Sequence, residues 1–182
     1  MGPLSAHMLQ HIILMNVLAP AAMLFFRRFG ARSSRHHWIF ATLTQVILLW
    51  LWHAPPLYEA AASHPMSLVA MHLSLAFSAC WFWLSVFSVG EEKVWQGIVA
   101  ILLTGKLFCL LGALLVFSPR LLYQISCFSE PCRSSLELFA LADQQMAGSL
   151  MLIACPMSYV VIGTVMAARW FSKLERQVAG YG

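Results

Sequence analysis

The chain has 182 residues, 60% of them hydrophobic and only 10% charged, with a formal net charge of +4. A soluble domain of this length would carry roughly a quarter of its residues charged, so a mean hydropathy of +0.76 excludes an ordinary water-soluble globule. Nucleic acid is excluded as the reason for the basic excess, because there is no basic stripe, no zinc-finger spacing and no aromatic RNA platform.

A helix needs about 20 apolar residues to cross a hydrocarbon core of about 30 Å. Five stretches qualify: residues 4–26, 37–54, 65–89, 95–118 and 141–168. The segments between them hold what a bilayer rejects: Arg27, Arg28, Arg32 and Arg35, then Glu91, Glu92 and Lys93, then a polar stretch with Cys127 and Cys132. Every backbone group in lipid must be satisfied internally, and no barrel-type alternation is present. The expected fold is therefore all-α, one polytopic membrane domain over residues 1–182 with five transmembrane helices. No internal repeat, low-complexity tract or cleavable signal segment is expected.

If the spans alternate, Arg27, Arg28, Arg32, Arg35, Lys93, Arg169, Lys173 and Arg176 fall on one side, and only Arg120 and Arg133 on the other. The positive-inside rule then predicts an N-terminus outside and a C-terminus in the cytoplasm. Cys127 and Cys132 would lie in an outer, oxidising loop, where a disulfide between them competes with metal binding.

On this topology the histidines are unevenly placed. His7 and His11 open the first span, roughly 5 to 10 Å below its outer end. His53 closes the second span before Pro55 and Pro56, His72 is about two turns into the third, and Asp143 opens the fifth. Four imidazoles and one carboxylate thus share a layer, with His64 just above it. His36 and His37, among arginines at the other side, read as solvated interfacial residues. Interhelical hydrogen bonding is the ordinary reading of one intramembrane histidine, but four at one depth point to a metal site.

His7 and His11 are i and i+4 neighbours on one helix face, a spacing that can chelate one ion. It disfavours their acting as opposed axial ligands of a haem. A zinc-protease motif would need Glu after the first histidine, where this chain has Met8. Met8, Met15, Met66, Met71 and Met146 also fall in the outer half, and thioether with imidazole suits copper(I). As packing filler, methionine is equally expected. Cys80, Cys109 and Cys155 read as small packing residues, and Gly97, Gly105 and Gly112 as points of close helix approach. Lys106, near the middle of the fourth span, must be deprotonated, paired or in a wet cavity, and Asp143 is its one acidic candidate, at a different depth.

The segments Leu4-Ser5-Ala6-His7-Met8-Leu9-Gln10-His11, Trp50-Leu51-Trp52-His53-Ala54-Pro55-Pro56-Leu57-Tyr58, Pro65 to His72 and Leu141-Ala142-Asp143-Gln144-Gln145-Met146-Ala147-Gly148, in this order, resemble the CtaG family of cytochrome c oxidase assembly factors associated with caa-type oxidases. The resemblance covers His7 to about Ala168, although relatives usually carry additional spans. It implies a multi-pass protein of the bacterial inner membrane that delivers or inserts copper into the oxidase, with an oxidase subunit or another copper donor or acceptor protein as partner. The combined expectation is a non-catalytic metallochaperone. Its candidate copper ligands are His7, His11, His53 and His72, with Asp143 as a ligand or as the carboxylate that orients an imidazole. Two alternatives remain open: a haem-binding electron carrier using His53 and His72, and a metal-dependent membrane enzyme.

Overall fold

The computed structural model describes residues 1–27, 37–123 and 130–179, without the side chains at 37, 91, 130–135, 177 and 178. Among the described residues there are helices and no strands. In chain order they are α1 (Pro3–Ile13), a π-helical turn (Leu14–Leu18), α2 (Ala19–Arg27), α3 (His37–Trp52), α4 (Pro55–Ser63), α5 (Pro65–Phe87), a 3₁₀ turn (Glu91–Lys93), α6 (Val94–Phe117) and α7 (Glu130–Ala179). Among the described residues four helices are long and apolar enough to cross a membrane, with α1, the π turn and α2 counted as one rod, Pro3–Arg27. A fifth span results if α3 and α4 are one broken crossing. Large apolar side chains such as Phe26, Phe40, Phe77, Leu102 and Ile153 are exposed, as a lipid-facing surface requires.

Two elements depart from their expected bounds. The second span was expected over residues 37–54, closed at His53 by Pro55 and Pro56; α3 ends at Trp52, and the chain bends by 73° between Trp52 and Pro55. Ala54 takes extended backbone, ψ 132°, because a residue before proline is driven out of the helical region, and Pro55 then starts α4. His53 is left at the break. The fifth span was expected over residues 141–168, whereas α7 runs from Glu130 to Ala179 and continues through Pro156. Cys132 therefore belongs to the helical backbone of α7 rather than to a loop. Cys127 lies outside the described residues, and with it the expected Cys127–Cys132 disulfide.

The π turn has a local cause. Ala19 N–H reaches back five residues to the Leu14 carbonyl, so the next donor in that register would be residue 20, which is proline and has no N–H. The Met15 carbonyl is thereby left over, and the Trp83 indole N–H of α5 donates to it at 2.8 Å. Sequence, backbone irregularity and helix packing are linked at this one bond. Trp83 in turn stacks on Tyr159 of α7 at a ring separation of 5.4 Å, and the Tyr159 hydroxyl accepts from Gln45 Nε2 of α3 at 3.1 Å.

The most extensive interhelical contact is between α6 and α7. It depends on Gly112 and Gly148, where the backbones approach so closely that a Cβ on Gly148 would come within 2.6 Å of the Gly112 carbonyl oxygen. Gly112 was expected to serve close packing; its partner Gly148 was not singled out. Lys106 stands on the exposed side of α6 near its middle.

Helix direction alternates as expected, which the two ends of the bundle show. One end gathers Pro3, Tyr58, Tyr123, Leu136 and Asp143 around a cavity of about 330 Å³. The opposite end gathers Arg27, Val94, Arg169 and Lys173 around another of about 430 Å³.

Candidate metal centre

Three elements bring histidines together near the end that carries the N-terminus. His7 and His11, one turn apart on α1, have ring centroids 4.3 Å apart. His72 of α5 meets them at 5.5 and 5.0 Å. His53, at the break after α3, is 5.4 Å from His11 and 6.5 Å from His7. His7, His11 and His72 each offer a ring nitrogen, and these nitrogens lie within 4.8 Å of one another. His64, expected in the loop just above this layer, is exposed at the junction of α4 and α5 and makes no side-chain cap there.

The free lone pairs can be assigned from hydrogen bonding. His72 Nδ1–H donates to the Leu68 carbonyl at 2.8 Å and His53 Nδ1–H to the Leu49 carbonyl at 2.6 Å. A carbonyl can only accept, so both rings carry a proton on Nδ1, and the lone pair of each neutral ring is then on Nε2. His53 Nε2 faces the Met8 thioether sulfur at 3.2 Å. His7 Nε2 and both nitrogens of His11 are buried with no hydrogen-bond partner. Buried polar atoms are almost always satisfied, so several orphans at one point are what a cation-binding set of lone pairs would leave. The donor set, imidazole with an adjacent thioether, is borderline to soft.

Tyr58 of α4 packs on His7 at 5.4 Å and on Tyr123 at 4.3 Å, and the Tyr123 hydroxyl donates to the His53 carbonyl at 3.1 Å. Burial and the neighbouring Tyr58 phenol push the Tyr123 phenol up, which keeps it a protonated donor. Both tyrosines thus touch the cluster, and both also line the 330 Å³ cavity. Trp52 Nε1–H donates to Ser74 Oγ at 2.9 Å and ties the end of α3 to α5.

Asp143 is placed differently from its expected position beside an imidazole. Its carboxylate accepts from the backbone N–H groups of Gly2 (2.7 Å), Leu4 (2.8 Å) and Ser5 (3.4 Å) and from the Ser5 hydroxyl. The first turn of a helix leaves N–H groups without internal partners, and here a carboxylate from another helix supplies them. Gln144 acts similarly on the chain after α6, accepting from Leu122 N–H at 2.9 Å and donating to the Leu115 and Arg120 carbonyls at 3.3 Å each. The physical reason is geometric: α7 packs along α1, so residues at its corresponding level reach the start of α1 rather than the ring layer.

Of the methionines expected in this half, Met8, Met15 and Met71 are buried, while Met66 and Met146 are exposed at 81% and 48% and point away. Tyr58, Tyr123, Met151 and Cys155 were not foreseen around the cluster. Tyr58 stands two residues after the Trp-His-x-Pro-Pro segment, a signal that could have found it.

The family model described as cytochrome c oxidase caa3 assembly factor (Caa3_CtaG) matches residues 2–173, nearly the whole chain. The chain belongs to this family. No curated protein and no solved structure matches it. As a Caa3_CtaG protein it is an oxidase assembly factor with several apolar helices long enough to span a membrane. The four histidines and Asp143 all lie within the matched region, Asp143 as the interhelical cap of the helix that bears His7 and His11.

Proposed function

We propose that this Caa3_CtaG protein is a non-catalytic copper carrier that binds one ion at His7, His11 and His72, with His53 as a fourth ligand, and hands it to a cytochrome c oxidase subunit during assembly. The observation that carries the reading is the convergence of three ring nitrogens within 4.8 Å, with the buried nitrogens of His7 and His11 unpartnered. Copper is cargo here, so the site must release as well as hold it. Ligands drawn from α1, the α3–α4 break and α5 suit that purpose, since displacing one helix loosens the whole set. Tyr58 and Tyr123 stand at the edge of the cluster and also line the cavity through which a partner's ligand could approach.

With the excess of Lys and Arg taken as cytoplasmic, the histidine end faces outward, in a multi-pass protein of the bacterial inner membrane. The haem alternative is disfavoured by packing. His11 and His7 both lie against His53 and His72, so imidazoles fill the space a macrocycle would need.

The test is copper content of the purified chain by elemental analysis, before and after loading, in His7→Ala, His11→Ala, His72→Ala and the exposed control His64→Ala. Loss of copper in the first three and retention in His64→Ala is expected. Equal retention in all four would overturn the reading and return the cluster to interhelical packing.

A further inference from the structure

We infer a second, softer copper(I) position one helical turn deeper than the histidine cluster, formed by Met8, Met15, Met151 and Cys155. It deepens the proposed function and rests on that reading. A small cavity of about 10 Å³ adjoins the cluster. It has room for a single atom-sized occupant. His11 and His53 form its upper wall, and four sulfur-bearing side chains line it.

The sulfurs come in two matched pairs. Met8 and Met15 lie two turns apart on the rod of α1 and the π turn, and Met151 and Cys155 are i and i+4 on one face of α7. Their exposures are 1%, 1%, 3% and 2%, so all four are withdrawn from lipid. Apolar packing alone would account for methionines, but not for what accompanies them. Asn16 donates from Nδ2 to Cys155 Sγ at 3.4 Å, while its Oδ1 is buried in the same wall with no partner. His11, 3% exposed, also lines that cavity, and of its two unpartnered ring nitrogens only one is used in the histidine cluster. Thioether, thiol and imidazole around a one-atom space are a ligand set for a soft monovalent ion.

Met8 links the two positions, because its sulfur is 3.2 Å from His53 Nε2 and also faces the cavity. An ion held by imidazoles can therefore exchange onto sulfur one ligand at a time without entering lipid. In the deeper position copper(I) displaces the thiol proton of Cys155. Cation and thiolate then cancel in a low-dielectric interior, and one proton leaves to solvent per ion bound. The position would store copper as the monovalent ion beneath the more open histidine set.

The experiment uses the full chain in detergent, loaded anaerobically with copper(I). It measures stoichiometry against a copper(I) chelator and nitrogen versus sulfur scattering by X-ray absorption. Two ions per chain are expected, with both kinds of ligand. Met15→Leu with Met151→Leu and Cys155→Ser should reduce the sulfur component to no more than the Met8 thioether and leave one histidine-bound ion. The near-isosteric Met15→Leu alone should weaken the second ion at least tenfold, which guards against misfolding of the triple variant. One ion with nitrogen scattering alone, unchanged by these substitutions, would overturn the deeper site and leave the histidine reading intact. A wild-type chain that binds no copper would overturn both.

Discussion

Asp143 holds the start of α1 through the backbone N–H of Leu4 at 2.8 Å, across 139 residues of sequence. The carboxylate also takes the N–H groups of Gly2 and Ser5, so one side chain of α7 supplies the acceptors for the first turn of the helix that carries His7 and His11. The height and rotation of two candidate ligands are thereby set from a different helix. Asp143→Ala strands these donors, and loss of hydrogen bonds to a charged group is expected to lower stability by about 1.5–3 kcal/mol or more. Thermal unfolding of the copper-free protein should show this, with Asp143→Asn intermediate because it keeps one acceptor. Copper affinity should fall in the same order. An unchanged melting temperature in Asp143→Ala would contradict the capping role.

Gly2 is bound to the same contact. A Cβ there would come within 3.0 Å of the Asp143 carboxylate, so Gly2→Ala should displace it and cost about 1–3 kcal/mol. Combined with Asp143→Ala, the Gly2 substitution should cost little more, since the clash has gone. A double-mutant cycle on melting temperature measures this, and simple additivity would count against the contact.

Trp83→Phe removes the donor to the Met15 carbonyl, which the π turn and Pro20 leave without a helical partner. An unsatisfied buried carbonyl costs about 1–3 kcal/mol. The melting temperature should drop more than in Trp95→Phe, whose ring is half exposed. Equal shifts would show that the bond contributes nothing beyond ring packing.

Gly148→Ala forces a methyl group against the Gly112 carbonyl at the closest approach of α6 and α7. The backbones must separate, and the folded yield in detergent should fall sharply, whereas Gly90→Ala, in open space, should express as wild type. Comparable yields for the two variants would refute a tight α6–α7 seam.

Topology is checked by reporter fusions after Arg27 and after Arg176, both of which should report the cytoplasm, with a fusion at His64 reporting the outer compartment. The reverse pattern would place the histidine cluster toward the cytoplasm.

The sequence by itself determined the solvent, the helical class and the level of the candidate site. Apolar run lengths define spans whatever their neighbours do, and a helix rises by a constant amount per residue, so His7, His11, His53 and His72 could be assigned to one layer without knowing which helices touch. The i, i+4 pair and the family motifs were likewise local. Tertiary structure decided the rest, because it depends on which faces meet. Pro55 and Pro56 announced a break, but neither its angle of 73° nor the approach of His53 to His11 could be read from them. Asp143 lies at the expected end of the molecule yet serves the backbone of α1 rather than an imidazole, a difference of a few ångströms in helix offset that no spacing encodes. Met66 and Met15 look alike in sequence, but one faces outward and the other a cavity shared with Cys155, since lipid accepts an apolar side chain as readily as a core does. Hydrophobicity fixes depth in a membrane protein; it does not fix rotation about the helix axis, and the composition of the site depends on that rotation.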